Sequence, residues 1–393
     1  MKLNWQLNST LGKRKGDSMS EGSASYVGSY DGAIEFAEGK NETVVDIKSK
    51  RAALKMSPSV VSVCSSIGGK ESFCGSGTII DSIFAGGESI AAVLTSAYIV
   101  PSPENSNNTP EISVRLANGE AVSGSVRYFN RYYNIALIEI HSKVQLRVAE
   151  LRPLDDSVDV SQDDGPSCYL DHEYRKIYPG DRLTIVGRAF QPPFQAVAFT
   201  VEYFTYPYNR CSCDELLILD RRMVKTCIGG PVINSDSEVI GLAHSVLDRT
   251  SFTPTNVVLR WLDANKNERT FRQLRLGLEL GNLYSTRIGW LEKFAHLLPD
   301  VSKGIIVKSV HGRGMQACSS PKGDYTGLWA ADAIVECDGE IVRSKLQFFD
   351  MICGKDEITV ELKVMRVDTG SYRTVKFTPK IADENHKLDD WPF

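Results

Sequence analysis

The hydrophobic pattern between Met56 and about Val246 consists of short apolar or alternating runs that turn residues interrupt. Strands at this density, with no long amphipathic helix between them, are typical of an antiparallel sandwich or barrel. The acidic stretch from Leu154 to Gly165 is predicted to be an exposed loop between two halves. The runs are 59–64, 77–81, 90–100, 111–116, 134–140, 182–187, 195–204, 215–220, 231–234 and 238–244.

The pattern changes to a helical one at about Pro254, where Val257, Val258, Trp261 and Leu262 share a face. Beyond it, apolar runs at 304–310, 333–339 and 357–367 surround a helix predicted near 344–353. Ser344 followed by Gln347 fits a capping box at the start of that helix. The C-terminal third is therefore predicted to be a small α+β domain.

These patterns divide the chain into five predicted parts. They are a poorly ordered leader (1–50), a double β-barrel (51–253), a linker helix (254–274), the α+β domain (275–380) and a polar tail (381–393). The fold class is thus mainly β, followed by a small α+β unit.

Composition and charge exclude several classes of function. The net charge of −4 gives no general attraction to nucleic acid or anionic membrane, so neither is expected as a partner. No apolar run is long enough to span a bilayer, and the N-terminus lacks the apolar stretch of a secretory signal. Nine cysteines without zinc-like spacing favour reduced thiols, so we expect an intracellular protein, cytoplasmic or nuclear, with no metal and no cofactor.

Four segments, in order, carry a resemblance to a known family. They are FCGSGTIID (73–81), LTSAYIV (94–100), YYNIALIEI (132–140) and TCIGGPVINSDSEVIGLAH (226–244). They resemble the HtrA/Deg proteases, which join a trypsin-fold domain to a C-terminal PDZ domain. The resemblance implies a chymotrypsin-like double β-barrel followed by a PDZ-like domain.

The same resemblance implies that all three catalytic positions are substituted. Tyr98 stands where the family has its histidine, Asn134 where it has its aspartate, and Ile228 where it has its serine. An isoleucine side chain cannot form an acyl-enzyme, and a phenol is a poor base near neutral pH. Asparagine in the aspartate role lowers turnover by about 10⁴-fold even when the other members are intact.

The oxyanion turn of the family falls on Thr226, Cys227 and Gly229. Thr226 replaces a glycine and restricts the backbone there, so the resemblance implies that the oxyanion hole is not preserved. Cys227 is adjacent to the lost serine, but no histidine stands at the base position, and we interpret it as structural. His244 is expected near the cleft, on the strand that lines the specificity pocket.

In the C-terminal domain the resemblance places a carboxylate-binding loop and first groove strand at Leu276, Gly277 and Leu278. Leu346 and Phe349, on the helix near 344–353, are predicted to form the other groove wall. Such a groove binds an extended peptide as an added strand. A groove filled by the chain itself is the alternative. Ala331 replaces the family's glycine before Asp332.

The sequence therefore predicts a catalytically inactive HtrA-like protein that binds peptides or protein C-termini through its PDZ-like groove. Assembly with itself or with related proteases is expected by analogy with the family. The alternative is an active HtrA-like serine endopeptidase whose catalytic residues lie elsewhere in the chain, and a closed, purely structural protein is a third reading.

Overall fold

The computed structural model describes residues 46–100, 110–159, 174–204, 213–220, 222–246, 249–297, 303–310, 327–353 and 359–381. Predictions that fall elsewhere, including most of the leader and the polar tail from residue 382, lie outside the described residues. Every helix in the described part is too short or too polar to cross a lipid bilayer.

Two closed six-stranded barrels form most of the structure, which confirms the predicted chymotrypsin-like double barrel. The first has the strand order β1-β2-β3-β6-β5-β4 and the second the order β9-β10-β11-β14-β13-β12. The first barrel consists of β1 (Val60–Ile67), β2 (Lys70–Ala85), β3 (Glu88–Thr95), β4 (Glu111–Arg115), β5 (Ala121–Asn130) and β6 (Ile135–Ser142). The second consists of β9 (Arg182–Arg188), β10 (Ala196–Phe204), β11 (Leu217–Leu219), β12 (Pro231–Ile233), β13 (Val239–Val246) and β14 (Arg249–Pro254).

Alternation explains why these runs close into barrels. Along β1, Val61 and Val63 enter the core of the first barrel, while Val60 packs in another cluster with Val186 and Ile233 of the second barrel. Successive side chains of a strand point to opposite faces, so β1 contributes to the core of the first barrel on one face and to the cluster between the barrels on the other. The second barrel has its own apolar core, which includes Ile185, Val232 and Phe252.

Helix α1 (Ile47–Met56) begins inside the range predicted as a poorly ordered leader, so that boundary is wrong. The Asp46 carboxylate accepts the Ser49 amide at 2.8 Å and caps the helix. Ala52, Ala53 and Met56 are buried against the same cluster that holds Val60 and Val186. Burial of this face fixes the helix despite its polar composition.

The predicted linker helix is shorter than expected. Helix α2 (Thr255–Lys266) ends eight residues before Leu274, which pairs instead with Ile381 in a two-stranded sheet of β15 (Leu274–Arg275) and β22 (Lys380–Ile381). Its Val257, Val258 and Trp261 pack between the barrels with Tyr133 and Leu242. The predicted apolar face is therefore confirmed.

The C-terminal domain has a sheet with the order β16-β17-β18-β20-β21, and β19 pairs with β18. Helix α3 (Ile288–Leu297) follows β16, and helix α4 (Lys345–Cys353) follows β19. The strands are β16 (Leu278–Asn282), β17 (Ile305–Val310), β18 (Asp332–Cys337), β19 (Glu340–Ile341), β20 (Val360–Arg366) and β21 (Tyr372–Phe377).

The capping box of α4 forms largely as predicted. The Ser344 hydroxyl accepts the Gln347 amide at 3.2 Å, and the Gln347 side-chain oxygen accepts the amide of Arg343 at 2.7 Å. The reciprocal bond therefore reaches one residue further back than a standard box.

The acidic stretch after Leu154 is not simply an exposed loop. Strand β7 (Leu154–Asp155) pairs in parallel with β8 (Arg175–Lys176), and Asp156 is fully buried. Its carboxylate accepts the Asn282 side-chain amide at 2.6 Å and the Leu346 backbone amide at 3.3 Å. The stretch therefore attaches the barrels to the C-terminal domain.

The expectation of reduced thiols fails at one pair. Cys64 on β1 and Cys74 on β2 lie directly opposite each other, 4.2 Å apart at Cα, and form a disulfide. Such a short separation is typical of a non-hydrogen-bonded antiparallel pair, where side chains are closest. Among the described residues, Cys213, Cys227, Cys337 and Cys353 are not part of a disulfide.

Candidate active site

The three segments in which the resemblance places the catalytic positions converge where the barrels meet. Tyr98 lies in a 3-10 turn, Ala97–Ile99, that Ser96 precedes. The Ser96 hydroxyl donates to Asn134 Oδ1 at 2.7 Å. A Cβ added to Gly229, the residue after Ile228, would lie 2.8 Å from the Ser96 nitrogen. The fold thus brings the regions of all three positions together.

Asn134 is the centre of a buried hydrogen-bond chain. It adopts a left-handed conformation with φ of 52°, which asparagine tolerates better than most residues. Its side-chain amide donates to His244 Nδ1 at 3.3 Å. His244 Nε2 donates to Thr253 Oγ1 at 2.9 Å, and Thr253 donates to the Tyr133 carbonyl at 3.2 Å. All donors in this chain point in the same direction when His244 carries its proton on Nε2.

This hydrogen-bond chain keeps His244 uncharged. His244 is fully buried, and burial lowers the pKa of its imidazole to about 3. An aspartate at position 134 would favour the imidazolium, whereas an amide donor to Nδ1 favours the neutral ring. The buried contact between Asn134 and His244 is therefore neutral.

The resemblance places His244 on a strand that lines the specificity pocket, and in the structure its ring contacts Asn134. This contact arises because β13 passes beside the end of the turn before β6. Neither Ser96 nor Thr253 stands out in the sequence as part of the site. The one available signal is a histidine in an otherwise apolar strand, VIGLAH.

Tyr98 contributes an aromatic surface to the site. Its ring stacks on Phe73 with centroids 6.3 Å apart, and it packs at the edge of the cluster of Leu94, Tyr132 and Tyr133. A phenol in this position fills space beside the cleft. A phenol is a poor base near neutral pH.

Ile228 follows a 3-10 turn, Lys225–Cys227, that closes the oxyanion region. The Ile228 amide donates to the Lys225 carbonyl at 3.0 Å, and the Ile228 carbonyl accepts the Ser76 amide at 2.8 Å. An oxyanion hole needs that amide directed at the substrate oxygen. Since it is bonded internally, the described geometry provides no hole at this position.

Gly229 is required by both its conformation and its surroundings. Its φ is 78°, and an added Cβ would lie 2.5 Å from the Ser76 carbonyl oxygen. Thr226 holds the same region from the other side, since its carbonyl accepts the Ser76 hydroxyl at 2.6 Å. The turn is thus tightly attached to β2.

Cys227 is placed as a structural thiol. It is fully buried, and burial raises its pKa well above the ordinary thiol range. A Cβ added to Gly187 would lie 2.7 Å from its sulfur, so the thiol fills the gap that this glycine leaves. A buried, protonated thiol is a poor nucleophile.

The alternative of a working endopeptidase needs an accessible histidine beside a hydroxyl and a carboxylate. Of the histidines in the described ranges, His141 is exposed on β6 beside Glu139, and His296 is exposed on α3. His244 is closed within its hydrogen bonds. The described residues therefore show no second triad between the barrels.

One of the predicted groove residues lies elsewhere. Leu346 is 1% exposed and packs in the core cluster of the second barrel with Leu154 and Ile177, so its assignment to the groove wall is wrong. The cause is the Asp156 contact, which turns the first turn of α4 toward the barrel. Leu276, Leu278 and Phe349 are buried in the core of the C-terminal domain.

The remaining groove position keeps the conformation expected of a loop glycine. Gly277 has a φ of 66°. It precedes β16, which is the end strand of its sheet in the described part of the chain and lies beside α4. An end strand next to a helix is the arrangement in which strand addition occurs.

A buried polar network links the barrels to α4. Tyr133 donates to Glu215 Oε1 at 2.7 Å, and Arg260 on α2 pairs with both Glu215 and Asp350. Asp350 also accepts the Asn256 side-chain amide at 3.0 Å. Tyr133 precedes Asn134, so this network joins the C-terminal domain to the candidate site. No motif in the sequence identified it.

Comparison with known proteins agrees with the barrel geometry. Residues 75–242 match the trypsin-like peptidase domain. Serine protease HTRA3 of Mus musculus is 23% identical over 284 residues, which are 69% of this chain and 55% of that protein. Putative protease Do-like 14 of Arabidopsis thaliana is 26% identical over 303 residues, 73% of this chain and 63% of that protein. The chain thus spans between about half and two thirds of these relatives' length.

Two solved structures are also similar. A serine endoprotease from Yersinia pestis aligns with a TM-score of 0.44 and 16% identity, over 86% of this chain and 100% of that one. The HtrA-type protease AlgW with decapeptide aligns with a TM-score of 0.46 and 14% identity, over 86% of this chain and 99% of that one. With its two closed barrels, the chain contains a trypsin-like peptidase domain, and it is similar in sequence to serine protease HTRA3 and putative protease Do-like 14.

Proposed function

We propose that this protein is a catalytically inactive HtrA-like protease homologue that binds peptides or protein C-termini. The single observation that carries the loss of catalysis is the closed hydrogen-bond chain from Ser96 through Asn134 and His244 to Thr253. It occupies the triad region with neutral groups and uses both nitrogens of the histidine. All four of these side chains belong to buried residues.

Two further features support this proposal. Ile228 offers no nucleophilic atom, and its amide is bonded to the Lys225 carbonyl. Nucleophile, base and oxyanion donor are the three elements of acyl transfer in this fold. Restoring activity therefore requires changes at all of them, and one substitution is not sufficient.

Peptide binding is proposed for the C-terminal domain, which we interpret as PDZ-like. Its sheet order, the single helix α4 beside the end strand β16 and the left-handed Gly277 all fit a groove for strand addition. Such binding uses backbone groups and an apolar floor, so it does not depend on the catalytic positions. Association with itself or with active relatives would place this domain beside their substrates.

Catalysis is tested with a fluorophosphonate probe and casein digestion on the purified chain. The comparison is a variant that carries Tyr98→His, Asn134→Asp and Ile228→Ser. Wild type is expected neither to label nor to cleave, because it has no nucleophile at position 228. If wild type were labelled, and if replacing one particular serine abolished that labelling, the proposal would be overturned.

Peptide binding is tested by fluorescence polarisation with a library of peptides that have free C-termini. The same peptides with amidated C-termini measure the contribution of the carboxylate. Gly277→Ala should reduce binding at least about tenfold, since a Cβ strains a left-handed loop. Gly339→Ala is the matched control, with a φ of 83° in the β18–β19 turn. Equal binding of free and amidated peptides would contradict a PDZ-like mode.

A further inference from the structure

The β1–β2 hairpin places three metal-ligating side chains side by side. Cys64 and Cys74 face each other across the two strands, and Glu71 lies three residues before Cys74 on β2. The two sulfurs and a carboxylate oxygen of Glu71 all lie within 4.8 Å of one another. It is the single group of this kind within the described ranges.

A β-bulge explains why Glu71 joins the two cysteines. Ser65 pairs with Phe73 and Ser66 pairs with Glu71, which leaves Ser72 as an extra residue on β2. Without the extra residue, positions 71 and 74 would point to opposite faces of the strand. The bulge shifts this alternation by one residue and turns Glu71 to the face that carries Cys74.

We propose that this hairpin, when its cysteines are reduced, binds one zinc ion through Cys64, Cys74 and Glu71, with water as the fourth ligand. Zinc prefers tetrahedral sites of thiolate, imidazole and carboxylate ligands. Zn–S bonds of about 2.3 Å and Zn–O bonds of about 2.1 Å place neighbouring ligand atoms roughly 3.5–3.8 Å apart. Once the disulfide is reduced, the two sulfurs move apart from bonding distance to this spacing, while the Glu71 oxygen closes in by about 1 Å through a rotamer adjustment.

The disulfide and the metal exclude each other, because a disulfide sulfur is not a thiolate. A small thiol reduces the bond by exchange: two thiol molecules are oxidised to their disulfide, and Cys64 and Cys74 each gain a proton. Zinc binding then releases these two protons as the thiolates form. The hairpin is thus joined by a disulfide under oxidising conditions and by a metal under reducing ones.

The cluster is accessible from solvent. Glu71 and Cys74 are partly exposed, which leaves an entry path for the ion. Cys74 precedes Gly75, where an added Cβ would lie 2.6 Å from the Ile228 carbonyl oxygen. The site therefore adjoins the substituted catalytic turn.

The test titrates the full-length chain with cobalt alone, after reduction with a phosphine and removal of the reductant under nitrogen. Cobalt bound to thiolates absorbs through a sulfur-to-metal charge-transfer band. Zinc should displace it. The reduced chain is expected to bind one more cobalt ion than the oxidised chain. Equal cobalt binding by both forms would overturn the proposal.

Two variants separate this site from other cysteines. The reduced Cys74→Ser variant should bind one cobalt ion fewer than reduced wild type. Glu71→Gln should keep the fold but bind that cobalt ion at least about tenfold more weakly, because a ligand is lost. Cys353→Ser is the matched control, since Cys353 is a free cysteine in another domain, and it should bind as wild type does. Unchanged cobalt affinity in Glu71→Gln, or unchanged stoichiometry in Cys74→Ser, would also overturn the proposal.

Discussion

The backbone amide of Leu346, at the start of α4, donates a 3.3 Å hydrogen bond to the buried carboxylate of Asp156, which follows strand β7. The same carboxylate accepts the Asn282 side-chain amide, and Asn282 in turn accepts the Lys345 amide at 2.6 Å. One acidic residue thus caps α4 and fixes it to the barrels, where the helix dipole favours a negative charge. Leu346 of the C-terminal domain thus packs in the core of the second barrel.

Leu346→Ala is predicted to destabilise the second barrel even though Leu346 lies in another domain. Its side chain is 1% exposed within the barrel core, so truncation should cost about 2–5 kcal/mol. Ile352→Ala, one and a half turns further along α4, is the control because Ile352 packs only in the C-terminal core. Limited proteolysis should release the C-terminal domain from the Leu346 variant first. Equal release from both variants would show that Leu346 does not couple the two units.

Gly229→Ala is predicted to disrupt the turn that holds Ile228. The added Cβ would lie 2.5 Å from the Ser76 carbonyl, and the φ of 78° is strained for alanine, so the loss in unfolding free energy should be about 3 kcal/mol or more. Gly86→Ala has a similar φ of 62° but open space around it and should cost only about 1 kcal/mol. Urea unfolding of both variants checks the difference. Equal losses would mean that the packing around Gly229 is not tight.

Local patterning predicted the barrels well because alternating strands carry a strong signal. Two barrel strands were missed, and both lack this signal: β5 exposes Tyr128 and Phe129, and β14 is mostly polar and ends at Pro254. Helix α1 was missed because its apolar face is small and its composition resembles that of the leader before it. These elements are stabilised by neighbours that are distant in the sequence.

The candidate site shows the same limit. The order of the motifs in the sequence was enough to assign Tyr98, Asn134 and Ile228 to one candidate site, because each lies in a motif of several residues. The partnership of Asn134 with His244 was not predicted, because it depends on how β13 passes the turn before β6. Leu346 was misplaced for a related reason: an apolar residue near the start of a helix fits a groove wall and a domain contact equally well.

Ala331→Gly is predicted to stabilise the protein by about 1 kcal/mol. Ala331 has a φ of 71°, a left-handed conformation that costs a residue with a Cβ about that amount. It stands where the resemblance expects glycine, so the natural residue is the strained one. The neighbouring Ala330→Gly is the matched control and should be neutral or slightly destabilising. Chemical unfolding measures both. A loss of stability in Ala331→Gly would contradict this conformation.

The buried His244 is predicted to make the protein sensitive to acid. Its pKa is about 3 in the fold against an ordinary value of 6.5, so between about pH 6.5 and 3 the unfolded chain binds more protons than the folded one. Stability should therefore fall as the pH falls from about 6.5 toward 3, by several kcal/mol in total. The loss should be absent above about pH 7.

His244→Gln isolates this contribution, because glutamine retains hydrogen-bonding groups but does not titrate. The variant should be less stable than wild type near neutral pH, and the difference between the two should shrink steadily on acidification toward pH 4. Urea unfolding of both proteins across this range measures the difference in stability. The contributions of carboxylates that both proteins share cancel in this difference, including that of Asp156, whose raised pKa increases stability on acidification. A difference that stays constant with pH would show that the imidazole is not held neutral, and with it the neutral interpretation of the centre would fail.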